Sequence, residues 1–133
     1  MVEWLHWISL PLNPVYKSKP RGSVWKWGDP MAKGYWLAQV DVTNPDGYKA
    51  YVVANQIPFR KYGGRFVVRA GHNEVVEGAF RSRLVVIEFP DYETALACYR
   101  SPEYQHTISL RKDHATADLA VVEGYDGPQP GEG

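Results

Sequence analysis

Tyr35-Trp36-Leu37-Ala38-Gln39-Val40-Asp41-Val42, followed at once by Thr43-Asn44-Pro45-Asp46-Gly47, is the stretch that decides the fold. Its first eight residues alternate. Trp36, Ala38, Val40 and Val42 point one way and Tyr35, Leu37, Gln39 and Asp41 the other, which is the period of a β-strand. Asn44 then offers a side-chain oxygen to the free N–H groups of a helix. Pro45 suits the first helical position, and Asp46 sits near the positive end. A strand therefore feeds directly into a helix.

Outward from this unit, Tyr48, Tyr51, Val52, Asn55, Phe59 and Tyr62 recur at helical spacing and form one face. Pro58 lacks the N–H that a helix interior needs, so the spacing predicts a kink or break there. Gly63-Gly64 ends the helix, one of the pair taking the left-handed cap. Arg65–Ala70 reads as the second strand, with Phe66 and Val68 on the helix side and Arg65, Val67 and Arg69 opposite. Gly71-His72-Asn73 reads as a turn and Glu74–Glu77 as a short hairpin arm. Arg83–Phe89 is the third strand, closed by Pro90. Asp91 caps a helix carrying Tyr92, Ala95, Leu96 and Tyr99 on one face, and Ser101-Pro102-Glu103 starts a second helical piece. Leu119–Tyr125 is the last strand. The order β-α-β-β-α-β predicts an α+β, ferredoxin-like domain over residues 31–126, a four-stranded antiparallel sheet with helices on one face. Residues 127–133 are rich in Gly and Pro and read as a flexible C-terminal tail.

Residues 1–30 are a different kind of sequence, holding Trp4, Trp7, Trp25 and Trp27 with four prolines and no helix or strand period. They do not read as a signal peptide, since no basic residue precedes the apolar run and no small-residue cleavage site follows it. Either Met31-Ala32-Lys33-Gly34 is the natural start, leaving 1–30 as a non-domain tail, or the extension packs its tryptophans on the domain. Sequencing the N-terminus of protein made from its native gene separates the two.

Fifteen basic and fifteen acidic residues cancel, which argues against nucleic acid or an anionic membrane as the main partner. Cys98 is the single cysteine, so no intramolecular disulfide can form, as expected of a cytoplasmic protein. His6, His72, His106 and His114 share no zinc-site pattern with it, and neither metal nor cofactor is expected.

Met31-Ala32-Lys33-Gly34-Tyr35-Trp36, Pro45-Asp46-Gly47-Tyr48-Lys49-Ala50-Tyr51, Lys61-Tyr62-Gly63-Gly64-Arg65-Phe66, Arg100-Ser101-Pro102-Glu103-Tyr104 and Ala117-Asp118-Leu119 together resemble the domain of unknown function (DUF) 1330 family. The resemblance spans about Met31 to Pro130. It implies the dimeric α/β-barrel superfamily, in which two ferredoxin-like sheets face one another as a homodimer. Relatives there include muconolactone isomerases, cofactor-free monooxygenases, haem-dependent enzymes and proteins without catalysis. The family brings no established reaction, so no catalytic residue is carried over.

Strand parity assigns Tyr35, Leu37, Gln39, Val67, Arg69, Leu84, Val86, Glu88, Leu119, Val121 and Glu123 to the helix-free face, a mixed lining of the kind that pockets have. With strand order 4-1-3-2, Gln39 and Glu88 become neighbours, Arg69 reaches Glu88, and Tyr35 stands near the rim. Glu88 is then either a general base, with Arg69 binding a small anionic substrate, or one half of a structural ion pair across the sheet. His72 is either an acid/base group over the cleft or a solvated turn residue. Asn55 either lines a ligand pocket or satisfies backbone freed by Pro58. Two functions stay open: a cofactor-free isomerase, lyase or oxygenase acting on a small organic molecule, and a non-catalytic dimeric ligand-binding or stress-associated protein.

Overall fold

Asn44 begins the first helix. Its backbone is extended and its side chain accepts the Gly47 N–H at 3.2 Å, so the chain leaves the first strand at Val42 and enters a helix at Pro45, with two residues between. The computed structural model describes residues 32–132, and residues 1–31 and Gly133 lie outside it, together with the expected boundary at Met31. Among the described residues the elements run β1 (Gly34–Val42), α1 (Pro45–Ala54), α2 (Gln56–Lys61), β2 (Arg65–Arg69), β3 (Arg83–Phe89), α3 (Tyr92–Arg100), α4 (Pro102–Arg111) and β4 (Ala115–Glu123).

The sheet order is β2-β3-β1-β4, all neighbours antiparallel, with the helices on one face. This is the ferredoxin-like arrangement. Pro58 acts as expected: the first helical region breaks at Asn55 into α1 and α2, and Gly63 takes the left-handed cap at φ 76°. Asp91 Oδ1 accepts Thr94 N–H at 2.7 Å. Ser101 both accepts Tyr104 N–H at 3.1 Å and splits the second helical region in two.

Trp36 is the centre of the core. Only 1 % of it is exposed, and Phe59, Phe89, Tyr99 and Tyr104 surround it at ring-centroid distances of 4.9–5.7 Å. Its indole N–H donates to Ala95 O at 2.8 Å, tying β1 to α3. Cys98 is fully buried nearby, its thiol 3.7 Å from Pro58 O, and burial pushes that thiol up to about 12. A disulfide reagent at pH 8 should therefore leave Cys98 unmodified in the native chain and label it only on unfolding. Rapid labelling without denaturant would contradict the packing of α3 against α2.

Three sequence expectations fail. A bulge between Phe66 and Val68 shifts β2 by one residue, so Val68 pairs with Val86 on the helix-free face and Arg69 pairs with Val85 on the helix side. The last strand starts at Ala115 rather than Leu119, and Leu119 and Val121 lie opposite Ala38 and Trp36, under the helices. Its helix-free positions are Thr116, Asp118, Ala120 and Val122. Finally, Glu74–Glu77 forms no ribbon: residues 71–80 are an exposed arm without strand pairing. The segment 127–132, expected to be a flexible tail, makes local turns, with Tyr125 Oη–H donating to Pro128 O and Glu132 N–H to Gln129 O.

Candidate functional site

The residues expected to share one cleft fall into three places. At one end of the helix-free face, Glu88 pairs directly with Tyr35 across β3 and β1. Tyr35 Oη–H donates to Glu88 Oε2 at 3.0 Å and Arg65 Nε–H donates to Oε1 at 3.0 Å. Both carboxylate oxygens thus have partners. Arg65 takes the position the sequence reading gave to Arg69, because the register sets Arg65 directly opposite Glu88, and the β2 bulge turns Arg69 to the other face. Burial and the Glu88 carboxylate together hold the Tyr35 phenol above its ordinary value. The arrangement is a cross-strand clamp.

At the other end of the same face stands Gln39, opposite Leu84. Four residues of strand separate that pairing from Glu88, roughly 13 Å, so the two are not neighbours. Gln39 Oε1 accepts the Arg81 N–H at 2.7 Å, and the Arg81 side chain bridges Asp41 (3.0 Å) and Asp118 (2.8 Å). Hydrogen bonds from the Ser82 backbone and hydroxyl, then Arg81, hold the Asp41 carboxyl below its ordinary value. A cleft of about 460 Å³ opens here, lined by Leu37, Gln39, Phe80, Leu84, Val86 and Ala120 among others. Arg81 engages Gln39 Oε1 and Asp118 Oδ2, and most of the remaining lining is apolar. His72 is exposed on the 71–80 arm and lines neither cavity.

The third place lies between the helices and the sheet. A cavity of about 40 Å³ is lined by Tyr48, Tyr51, Asn55, Phe66, Arg69 and Arg83, with Trp36 and aliphatic residues of the sheet. Asn55 sits at the break between α1 and α2 and is 6 % exposed. Its Oδ1 has no hydrogen-bond partner in the protein, and neither has the buried Nε of Arg83. The described lining holds no carboxylate and no imidazole. Burial pushes the Tyr48 and Tyr51 phenols above their ordinary values, so both stay protonated. Tyr51 shares a 2.7 Å hydrogen bond with Tyr104, whose ring packs against Trp36.

Asn55 and Arg69 therefore line one cavity on the helix side, with Arg83 and Tyr48. Sequence reasoning missed Arg83. Its signal was a charged residue on the same parity as the core residues Val85 and Ile87.

Residues 33–125 match the family model described as a domain of unknown function, DUF1330. The chain belongs to the DUF1330 family. Among solved structures, this DUF1330 chain is similar to RPA0582, a protein of unknown function from Rhodopseudomonas palustris. The TM-score is 0.58 at 16% identity, over 74% of this chain and 87% of that one. It is also similar to SnoaB, a cofactor-independent oxygenase from Streptomyces nogalater, with TM-score 0.52 at 10% identity, over 71% of this chain and 95% of that one. At these identities the likeness concerns the fold. No curated protein matches the sequence. Among the described residues no helix is long and apolar enough to cross a membrane.

Proposed function

We propose that this DUF1330 member is a cytoplasmic homodimer, a dimeric α/β-barrel that binds a small organic molecule in the helix-side cavity. It transforms that molecule without a cofactor, as an isomerase, lyase or oxygenase. One observation carries the reading: an acceptor, Asn55 Oδ1, and a donor, Arg83 Nε, are buried without protein partners on two residues that line one cavity. Leaving such atoms unpaired costs about 1–3 kcal/mol each, a cost that a bound polar group relieves. Members of all three classes that work through an enolate place negative charge on oxygen. A fixed guanidinium and neutral phenols in a site shielded from water suit that charge. The cofactor-independent chemistry of SnoaB on the same fold supports the reading by analogy.

The dimer is supported by an apolar row across the helix-free face, Val68–Val86–Leu37–Ala120, with Phe80 beside it.

One observation favours the second reading, a non-catalytic ligand-binding or stress-associated protein. The described cavity lining supplies no carboxylate or imidazole to act as a general base. Native mass spectrometry of the full chain as purified tests both. The expected result is a dimer carrying a small-molecule adduct that Asn55→Ala loses. Conversion of that adduct in air, followed by product analysis and dioxygen uptake, identifies the enzyme. Recovery of the same molecule unchanged identifies the binder. Retention of the adduct by Asn55→Ala would move the site out of the cavity.

A further inference from the structure

Three arginines gather at this end of the molecule without a carboxylate among them. Arg69 and Arg83 line the cavity. The Arg83 guanidinium carbon stands 5.9 Å from the Tyr48 ring centroid, that of Arg111 5.4 Å from Tyr51, and that of Arg69 4.1 Å from Phe66. Four other cations among the described residues have acidic partners: Glu88 for Arg65, Asp41 and Asp118 for Arg81, Glu103 for Lys61 and Asp46 for Lys49. Arg69, Arg83 and Arg111 instead rest on aromatic faces, and although Arg83 also bonds the Tyr48 side chain and Arg111 those of Tyr51 and Tyr104, these neutral partners leave the cationic charge to attract an anion. Cations converging at a partly desolvated cavity concentrate anions there.

Charge alone does not describe the site. Asn55 Oδ1 only accepts hydrogen bonds, so a bare carboxylate would set acceptor against acceptor. The space, about 40 Å³, takes a polar head group of a few atoms; any larger body extends past Arg69, which is exposed. On the reading that the helix-side cavity is the ligand site, we infer that the ligand is a small hydroxylated organic acid. Arg83 and Arg69 hold its carboxylate, and its hydroxyl donates to Asn55 Oδ1. Arg111 adds to the positive potential from behind Tyr51. Because burial keeps Tyr48 and Tyr51 protonated, neither phenol opposes the incoming charge.

Nitrogen-15 NMR titration of the full chain with glycolate, acetate and glycolamide tests this. Glycolate carries both features, acetate lacks the hydroxyl, and glycolamide lacks the charge. Glycolate is expected to shift the Asn55 side-chain amide and Arg83 Nε signals, with at least tenfold tighter binding than either analogue. Asn55→Ala should bring glycolate and acetate to equal affinity. Arg83→Gln should weaken glycolate at least tenfold. Should that variant misfold, Arg69→Gln at the exposed mouth gives the same reading. Equal binding of glycolate and glycolamide at these signals would overturn the acid while leaving the cavity as the site. If none of the three probes moves them, and neutral phenol moves none either, the cavity reading falls as well.

Discussion

Trp36→Ala should lower stability by about 4 kcal/mol, the largest single effect expected in this chain. The indole fills the space between Phe59, Phe89, Tyr99 and Tyr104, and no neighbour can shift to fill it because each is already packed on the others. Its removal takes away a large buried apolar surface, leaves a void, and removes the hydrogen bond to Ala95 O that joins β1 to α3. For a domain of this size the melting temperature should fall by roughly 15–25 °C. Trp36→Phe keeps most of the volume and loses only the hydrogen bond and part of the ring, so its loss should be less than half as large. Calorimetry of the two variants checks the ordering. A Trp36→Ala chain melting within a few degrees of the unmodified one would mean that the core is not organised around this ring.

Val86→Asp should dissociate the proposed dimer. Val86 lies in the middle of the helix-free face, opposite Leu37 on one side and Val68 on the other. In a face-to-face pair of sheets its charge would be buried without a partner in each copy, at a cost of about 3–5 kcal/mol. One such cost alone weakens association by roughly 10²–10⁴-fold. The monomer itself should keep its fold, because this face lies away from the core around Trp36. Light scattering at micromolar concentration should give twice the chain mass for the unmodified protein and the single mass for the variant, with unchanged circular dichroism. A single-chain mass for the unmodified protein would remove the dimer from the proposal altogether.

The architecture could be read from the sequence because its punctuation is strong. Asn44-Pro45, Pro58, Gly63-Gly64, Asp91 and Ser101-Pro102 each forced a local conformation that the structure contains. The site was less legible, since it depends on which side of a strand each residue takes. The bulge at Val67 carries no mark in Arg65-Phe66-Val67-Val68-Arg69, where apolar residues at 67 and 68 suit either side. One extra residue there moved Arg69 to the helix side, while the register, which sequence reading did not fix, set Arg65 opposite Glu88. In β4 a mark did exist: Thr116 and Asp118 share a parity, which leaves Ala117, Leu119 and Val121 as the core side. Beginning the strand at Leu119 hid it. Asn55 was identified as a polar interruption of an apolar face, but its cavity depends on how β3 places Arg83, which no local pattern in α1 records.

The arrangement at the base of the 71–80 arm has a consequence for engineering. The arm's two ends are fixed independently of its contents, one by Ala70 N–H donating to Leu84 O and the other by Arg81 locked to Gln39, Asp41 and Asp118. Loop-closure entropy grows only with the logarithm of length, so doubling the arm should cost about 0.6 kcal/mol. Its tip is a natural grafting position, where a foreign peptide epitope can be carried while the sheet beneath keeps its register.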